Sequence, residues 1–360
     1  MPTNAQQPAT PAPAAGHGHG EGGTRAVLAA LGANLGIAVT KFIAFVITGS
    51  ASLLAESVHS LADSGNQVLL LVGRKRSRRA GTEQHPFGFG HERYFYAFVV
   101  AVVLFTVGAL FSVYEGVHRI SHPEQVSSPV VAFAVLAVAI VLESLSLRTA
   151  LAASSAERRS RGLRRFIQQA KAPELPTVLL EDMAALTGLV VALAGVTMAT
   201  ITGNGAWDGA GSLAIGVVLG LVAVVLAIEM KSLLIGEAAT ATTERAVVAA
   251  LEDGPELDQV IHLRTMHLGP ESLLIAAKVA VRPQASGSAI AQAIDAAEQR
   301  VRAAVPIAQV IYLEPDLYRA DEADSDDPSV RAAQREPGSG SAADDEADSA
   351  GPPADLSGRE

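Results

Sequence analysis

Cysteine is absent from the 360-residue sequence. Disulfides, thiolate metal sites and thiol nucleophiles are excluded with it, so any bound metal is held through nitrogen and oxygen ligands. Charge is scarce too, at 18% of residues against 49% hydrophobic. The apolar residues gather into runs of roughly 20 or more, longer than a soluble core requires. The first 23 residues lack both a basic n-region and an Arg-rich amphipathic pattern, and so do not read as a signal or transit peptide. No His-Glu-x-x-His element occurs. The signature of an intramembrane metalloprotease is therefore missing, and the chain reads as no enzyme.

A net charge of −10 is concentrated at one end, since Arg319 to Glu360 holds 12 acids and 4 bases. The rest is near neutrality, which argues against nucleic-acid binding. Residues 1–24, rich in Pro, Ala and Gly, and the acidic residues 319–360 are expected to be disordered tails. His17 and His19 in the first make only a weak, flexible pair.

Between the tails lie six apolar spans, at Arg25–Thr48, Ala51–Gly73, Tyr94–Ile120, Pro129–Ala153, Pro176–Thr202 and Gly209–Gly236. Each is long enough, at about 1.5 Å per residue, to cross a hydrocarbon layer of about 30 Å. Basic residues cluster between the second and third spans, from Arg74 to Arg79 with Arg93, and between the fourth and fifth, from Arg158 to Lys171. The opposite loops hold one base, Arg119. The positive-inside rule then places both termini in the cytoplasm. The expected fold class is an all-α membrane domain of six transmembrane helices over residues 25–237, followed by a small cytoplasmic α+β domain over 238–318. In that domain a helix near Thr243–Leu251, strands near Gln259–His267 and Ser272–Arg282, a helix at Ser288–Ala304 and a strand at Gln309–Glu314 give the order αββαβ. One sheet covered on one face by helices suits that order, and its small size invites pairing with a second copy.

The second span carries Glu56, His59, Asp63 and Asn66, and the fifth carries Glu181 and Asp182. Charged groups at such depth cost about 2.5–3.5 kcal/mol each on insertion scales, so they require partners. His59 and Asp63 stand four residues apart, about 40° around a helix, with Glu56 near the same stripe. Nitrogen and oxygen ligands from two helices are what a tetrahedral divalent cation such as Zn²⁺ takes. A structural alternative is open at each position: Lys41 in the first span can neutralise a carboxylate, and His59 or Asn66 can bond a neighbouring helix. Glu143, in the fourth span, suits a proton site, a group supporting a ligand or an ion-pair partner. Glycines 32, 36, 188, 195, 216 and 220 have the spacing of close helix contacts.

These residues resemble the cation diffusion facilitator family. The element His59-Ser60-Leu61-Ala62-Asp63 and the loop from His85-Pro86-Phe87-Gly88 to His91-Glu92-Arg93 carry the likeness. Ala55–Ser60, Asn66-Gln67, Leu179–Asp182 and Ile201–Asn204 are similar to the branch that contains the mitochondrial zinc exporters of eukaryotes, over about residues 25–315. The resemblance implies a homodimeric transporter in the lipid bilayer that exports Zn²⁺ in exchange for protons by alternating access, with no cofactor. It implies His59, Asp63 and Asp182 as ligands. It also exposes a departure, because Val178 stands where most zinc members place a fifth-span His. Glu181 is the substitute within reach, and so oxygen-rich a site would also admit Mn²⁺, Fe²⁺ or Co²⁺. In the C-terminal domain, Ala277-Lys278 replaces an expected His, so weak or absent metal binding is expected there, with His262 and His267 as surface residues. His85 and His91 have the spacing of an interfacial site, but the neighbouring arginines repel a cation and suit anionic lipid headgroups better. The alternative class is a membrane metal sensor or scaffold. Composition rich in Ala, Val and Arg favours the plasma membrane of a bacterium.

Overall fold

The computed structural model describes residues 20–158 and 162–318. The acidic tail, most of the expected N-terminal tail with His17 and His19, and Arg159 and Arg161 lie outside the described residues. The helices are α1 (Gly20–Thr48), α2 (Ala51–Ser77), α3 (Glu92–Val103), α4 (Phe111–Ser121), α5 (Pro129–Arg158), α6 (Leu163–Gln169), α7 (Glu174–Thr202) and α8 (Ala206–Ile235). A π-helical stretch, Leu104–Leu110, joins α3 to α4 in one continuous rod. Two features differ from expectation. The first helix begins at Gly20, inside the stretch read as a tail, and α6 interrupts what reads as a basic loop.

Among the described residues, four rods are long and apolar enough to cross a membrane: Glu92–Ser121, Pro129–Ser155, Glu174–Thr202 and Ala206–Ile235. The apolar part of α1, Asn34–Thr48, is shorter, and α2 is diluted by Glu56, His59, Asp63, Asn66 and its serines. Large apolar side chains face outward, among them Val46 on α1, Val130 on α5 and Leu221 on α8. Polar Lys41, Glu56, His59 and Asn66 are almost wholly buried. That inversion of the soluble pattern is what a hydrocarbon solvent selects.

Two compact units can be distinguished. One takes the chain through Val68 with Val103–Ser146 and Asp182–Gly220; the other takes Leu69–Val102, Leu147–Glu181 and the chain from Leu221. In the first, helices approach closely through glycine. A Cβ on Gly116 of α4 would stand 2.5 Å from the Leu213 amide of α8, and one on Gly216 would stand 2.7 Å from Val113. The Ser212 hydroxyl donates to the Ser112 carbonyl at 2.9 Å, adding a hydrogen bond to that contact. In the second unit, Leu70, Tyr94, Ala97, Val100, Met230 and Leu233 form one apolar cluster, and Ala150, Phe166 and Leu179 another.

The second unit also holds α9 (Ala241–Glu252), β1 (Gln259–Gly269), β2 (Ser272–Ala280), α10 (Gly287–Ala304) and β3 (Ala308–Asp316). This is the αββαβ order, with each element within about two residues of its expected bounds. The sheet runs β1-β2-β3, with β1 antiparallel to β2 and β2 parallel to β3. A parallel neighbour needs a crossover, which α10 supplies. Val247, Leu251, Leu263, Ile275, Ala297 and Val301 are among the residues that close the core between helices and sheet. Thr240 and Ser286 cap α9 and α10 through their side-chain oxygens, as hydroxyl residues do at helix starts.

Candidate functional site

The stripe of polar residues on α2 begins at a tightly held end. Helix α1 stops at Gly49, whose φ of +68° suits a residue without a Cβ. The Asp208 carboxylate of α8 then accepts from the Ser50 hydroxyl at 2.8 Å and from the Ala51 and Ser52 amides. It caps α2 from another helix, meeting amides that a helix start leaves orphaned. Arg119 secures the same turn by donating to the Gly49 carbonyl at 2.6 Å.

One and a half turns on, Glu56 is fully buried and takes a cation partner from α1. Lys41 Nζ donates to Glu56 Oε2 at 3.1 Å and to the Ser60 hydroxyl at 2.8 Å. The structural alternative weighed for Glu56 is thus the arrangement observed. A Cβ on Gly188 of α7 would fall 2.3 Å from Glu56 Oε1, so this glycine makes room for the carboxylate. His59 is fully buried, and neither ring nitrogen makes a hydrogen bond. Its Nδ1 lies 3.5 Å from Asp63 Oδ1, outside hydrogen-bonding alignment. Asp63 retains 15% exposure, and Asn66 is fully buried on the same helix.

On α7, Asp182 accepts from the Ser146 hydroxyl of α5 at 3.0 Å. Glu143 of α5 lies within electrostatic reach of Lys41, Glu56 and Asp182. Glu181 is buried and sits roughly 100° around the helix from Asp182. Val178 packs with the Ala150, Phe166 and Leu179 cluster, where an imidazole would disturb an apolar contact. The structure therefore pairs His59 with Asp63, Glu56 with Lys41 and Asp182 with Ser146. Among the described residues it gathers no group of three or more His, Asp or Glu placed to hold a metal. Ser146 is the partner that sequence reasoning missed. Its signal was the three-residue spacing from Glu143, which puts both on one face of α5.

Elsewhere the histidines are separated. His85 is exposed and its ring lies 4.8 Å from that of Phe89. His91 is half-buried against Tyr94, and burial pushes its pKa below the ordinary range. In the C-terminal domain, Lys278 pairs with Asp316 at 2.9 Å and Glu314 at 3.5 Å; these bonds raise its pKa, and the ammonium lines the pocket beside His262 with a cation. His267 corrects an expectation, since it is 3% exposed instead of superficial. The irregular register between His267 and Gly269 and a hydrogen bond donated by its backbone N–H to the Glu237 carbonyl draw it inward. Burial lowers its pKa.

Comparison with known proteins adds three findings. The family model for the cation efflux transmembrane domain matches residues 27–235. The mitochondrial proton-coupled zinc antiporter SLC30A9 of Xenopus laevis is 33% identical over 66% of this chain and 43% of its own length, and the human protein is 32% identical over 64% and 41%. Metal tolerance protein C4 of Arabidopsis thaliana is 30% identical over 71% of this chain and 56% of its own. The matched stretch thus spans less than half the length of the animal relatives. Among solved structures, a nickel form of the MamM C-terminal domain matches 22% of this chain and all of its own, at 18% identity and a TM-score of 0.21. The relatives matched over most of this chain are eukaryotic, with the animal ones mitochondrial by name. That overturns the expected bacterial plasma membrane with cytoplasmic termini. Richness in Ala, Val and Arg serves any multi-pass membrane protein and carries no address.

Proposed function

The chain belongs to the cation efflux family, and on that premise we propose that it is a proton-coupled zinc transporter of an organellar membrane, working by alternating access. Metal cation efflux follows from the family, whose model covers residues 27–235. Zinc as cargo and protons as counter-ions are drawn from the names of the animal relatives. In this reading α1 and α2 join the four apolar rods to make six spans, and α2 tolerates its polar stripe because that stripe faces other helices. A second copy of the chain is the proposed partner, since a C-terminal domain of about 80 residues is marginal alone.

The observation that carries the reading is His59. An imidazole wholly out of solvent with neither nitrogen hydrogen-bonded is costly unless a ligand uses it. Asp63 is one helical turn away, and Asp182 and Glu181 on α7 supply oxygen donors. The same nitrogen lone pair takes either a proton or a metal, so the two compete for His59. Rocking of the helices would bring α2 and α7 ligands onto the cation and then open the other side. With Val178 in place of an imidazole, the donor set is rich in oxygen and admits Mn²⁺, Fe²⁺ and Co²⁺ beside Zn²⁺.

The test is flux into proteoliposomes under an imposed pH gradient, comparing Zn²⁺ with Mn²⁺, Fe²⁺ and Co²⁺. Asp63→Asn and Asp182→Asn are each expected to abolish transport while leaving the protein folded. Undiminished flux in both variants would falsify the ligand assignment, and flux indifferent to the gradient would remove the antiport.

A further inference from the structure

The end of α2, the loop leading to α3 and the rim of the C-terminal sheet enclose a cavity of about 490 Å³ within the second unit. Arg78, Arg79 and Arg93 line it, together with Ser77, Ser272 and Gln309. Arg93 is already committed, to Glu174 and to Glu271, the carboxylate that also lines the cavity, at 3.5 Å. Arg78 and Arg79 are exposed and form no ion pair among the described residues. Arg79 is held 4.7 Å over the Phe89 ring, which restricts where its charge points.

The walls have a defined shape. Reciprocal amide-to-carbonyl bonds between Thr82 and His85, both 3.1 Å, close the loop on itself. A Cβ on Gly81 would stand 2.8 Å from the Pro86 carbonyl, and one on Gly90 would stand 2.1 Å from the Leu268 carbonyl. Backbone therefore seats against backbone where the loop meets the turn between β1 and β2. Arg74 and Lys75, on the same helix end, stay outside the cavity.

We propose that this cavity is a binding site for a phosphate-bearing anion, with Arg78 and Arg79 as its cationic contacts and, as hydrogen-bond donors, the Ser272 hydroxyl and the Gln309 N–H that is not already given to the Glu271 carbonyl. Two guanidinium forks without carboxylate partners match phosphate oxygens in geometry and charge. They also exclude a metal cation from the site. The volume holds a headgroup or a small free phosphate compound. The contacts come from α2 on one side and the C-terminal sheet on the other, so a bound anion fastens the end of α2 to that sheet. The site does not depend on which ion the protein carries.

Full-length protein in neutral detergent would be titrated with inorganic pyrophosphate and, separately, with micelles containing phosphatidylglycerol or phosphatidylcholine. The paired variants are Arg78→Gln with Arg79→Gln, and Arg74→Gln with Lys75→Gln. The parent and the second pair are expected to bind the anionic probes alike, with the first pair at least tenfold weaker. Ser272→Ala with Gln309→Ala alters only the opposite wall and is expected to weaken binding at least threefold, keeping the test informative if the arginine pair misfolds. Binding of phosphatidylglycerol without pyrophosphate identifies a lipid headgroup as occupant; the reverse identifies a soluble phosphate. Equal losses in the two basic pairs mean diffuse attraction and overturn the proposal. So does full binding by Arg78→Gln with Arg79→Gln, or no binding of either anion by the parent.

Discussion

At Lys41 a primary ammonium lies 1% exposed in the apolar part of α1, bonded to a carboxylate that is wholly buried. Truncating it to Met leaves the Glu56 charge without a partner, and breaking a buried pair from one side costs about 3–5 kcal/mol. Lys41→Met is therefore expected to unfold much earlier in thermal melts, and Lys41→Met with Glu56→Gln to regain most of the loss. Equal melting of Lys41→Met and the parent would refute a stabilising pair. Transport by the double variant would show that Glu56 is no ligand. The residue scale was partly legible. A His and an Asp four apart must share a face, and that pair is found at 3.5 Å. The partner of Asp182 was not legible, because a hydroxyl in an apolar helix usually satisfies itself locally, as Ser144 does on the Ile140 carbonyl at 2.6 Å. Ser146 reaches across to α7 instead.

Helices α4 and α8 show what glycine spacing does at the element scale. Lipid tails give no hydrophobic drive to helix pairing, so close backbone approach must supply it through dispersion. Gly116→Val is expected to push the helices apart and cost about 1–3 kcal/mol, as overpacking does. Gly36→Val is the control, because a Cβ there meets nothing within 4 Å. Melting temperatures in detergent check both; a loss as large at Gly36 as at Gly116 would point to helix propensity and not to packing. Spacing alone did not rank the glycines. Gly188, Gly195 and Gly216 prove crowded, whereas Gly36 and Gly220 have room. The C-terminal strands and helices were read within about two residues, since alternation and periodicity are local signals. His267 was misplaced because a register irregularity breaks that alternation.

For the whole molecule, the proposed competition between proton and metal would make apparent affinity a function of pH. Each proton displaced from a ligand changes apparent Zn²⁺ affinity by about tenfold per pH unit below that ligand's pKa. Affinity measured by titrating the reconstituted protein is expected to fall on acidification, and a flat profile would disprove displacement. Four of the six expected spans, and the C-terminal domain, were legible because length and polarity are coarse signals, whereas the proposed closure of α7 ligands onto α2 would depend on side-chain rotation that no spacing encodes. The cap on α2 has a bearing on how the chain is made. Asp208 is synthesised 157 residues after the Ala51 amide it meets, a delay of roughly 8–30 s at 5–20 residues per second. For that interval the nascent α2 carries its polar stripe with an unfinished end, held by Lys41 of α1. In the six-span arrangement proposed above, insertion of this helix is a provisional event that α8 ratifies, and a ribosome pausing before Asp208 leaves the intermediate most open to quality control.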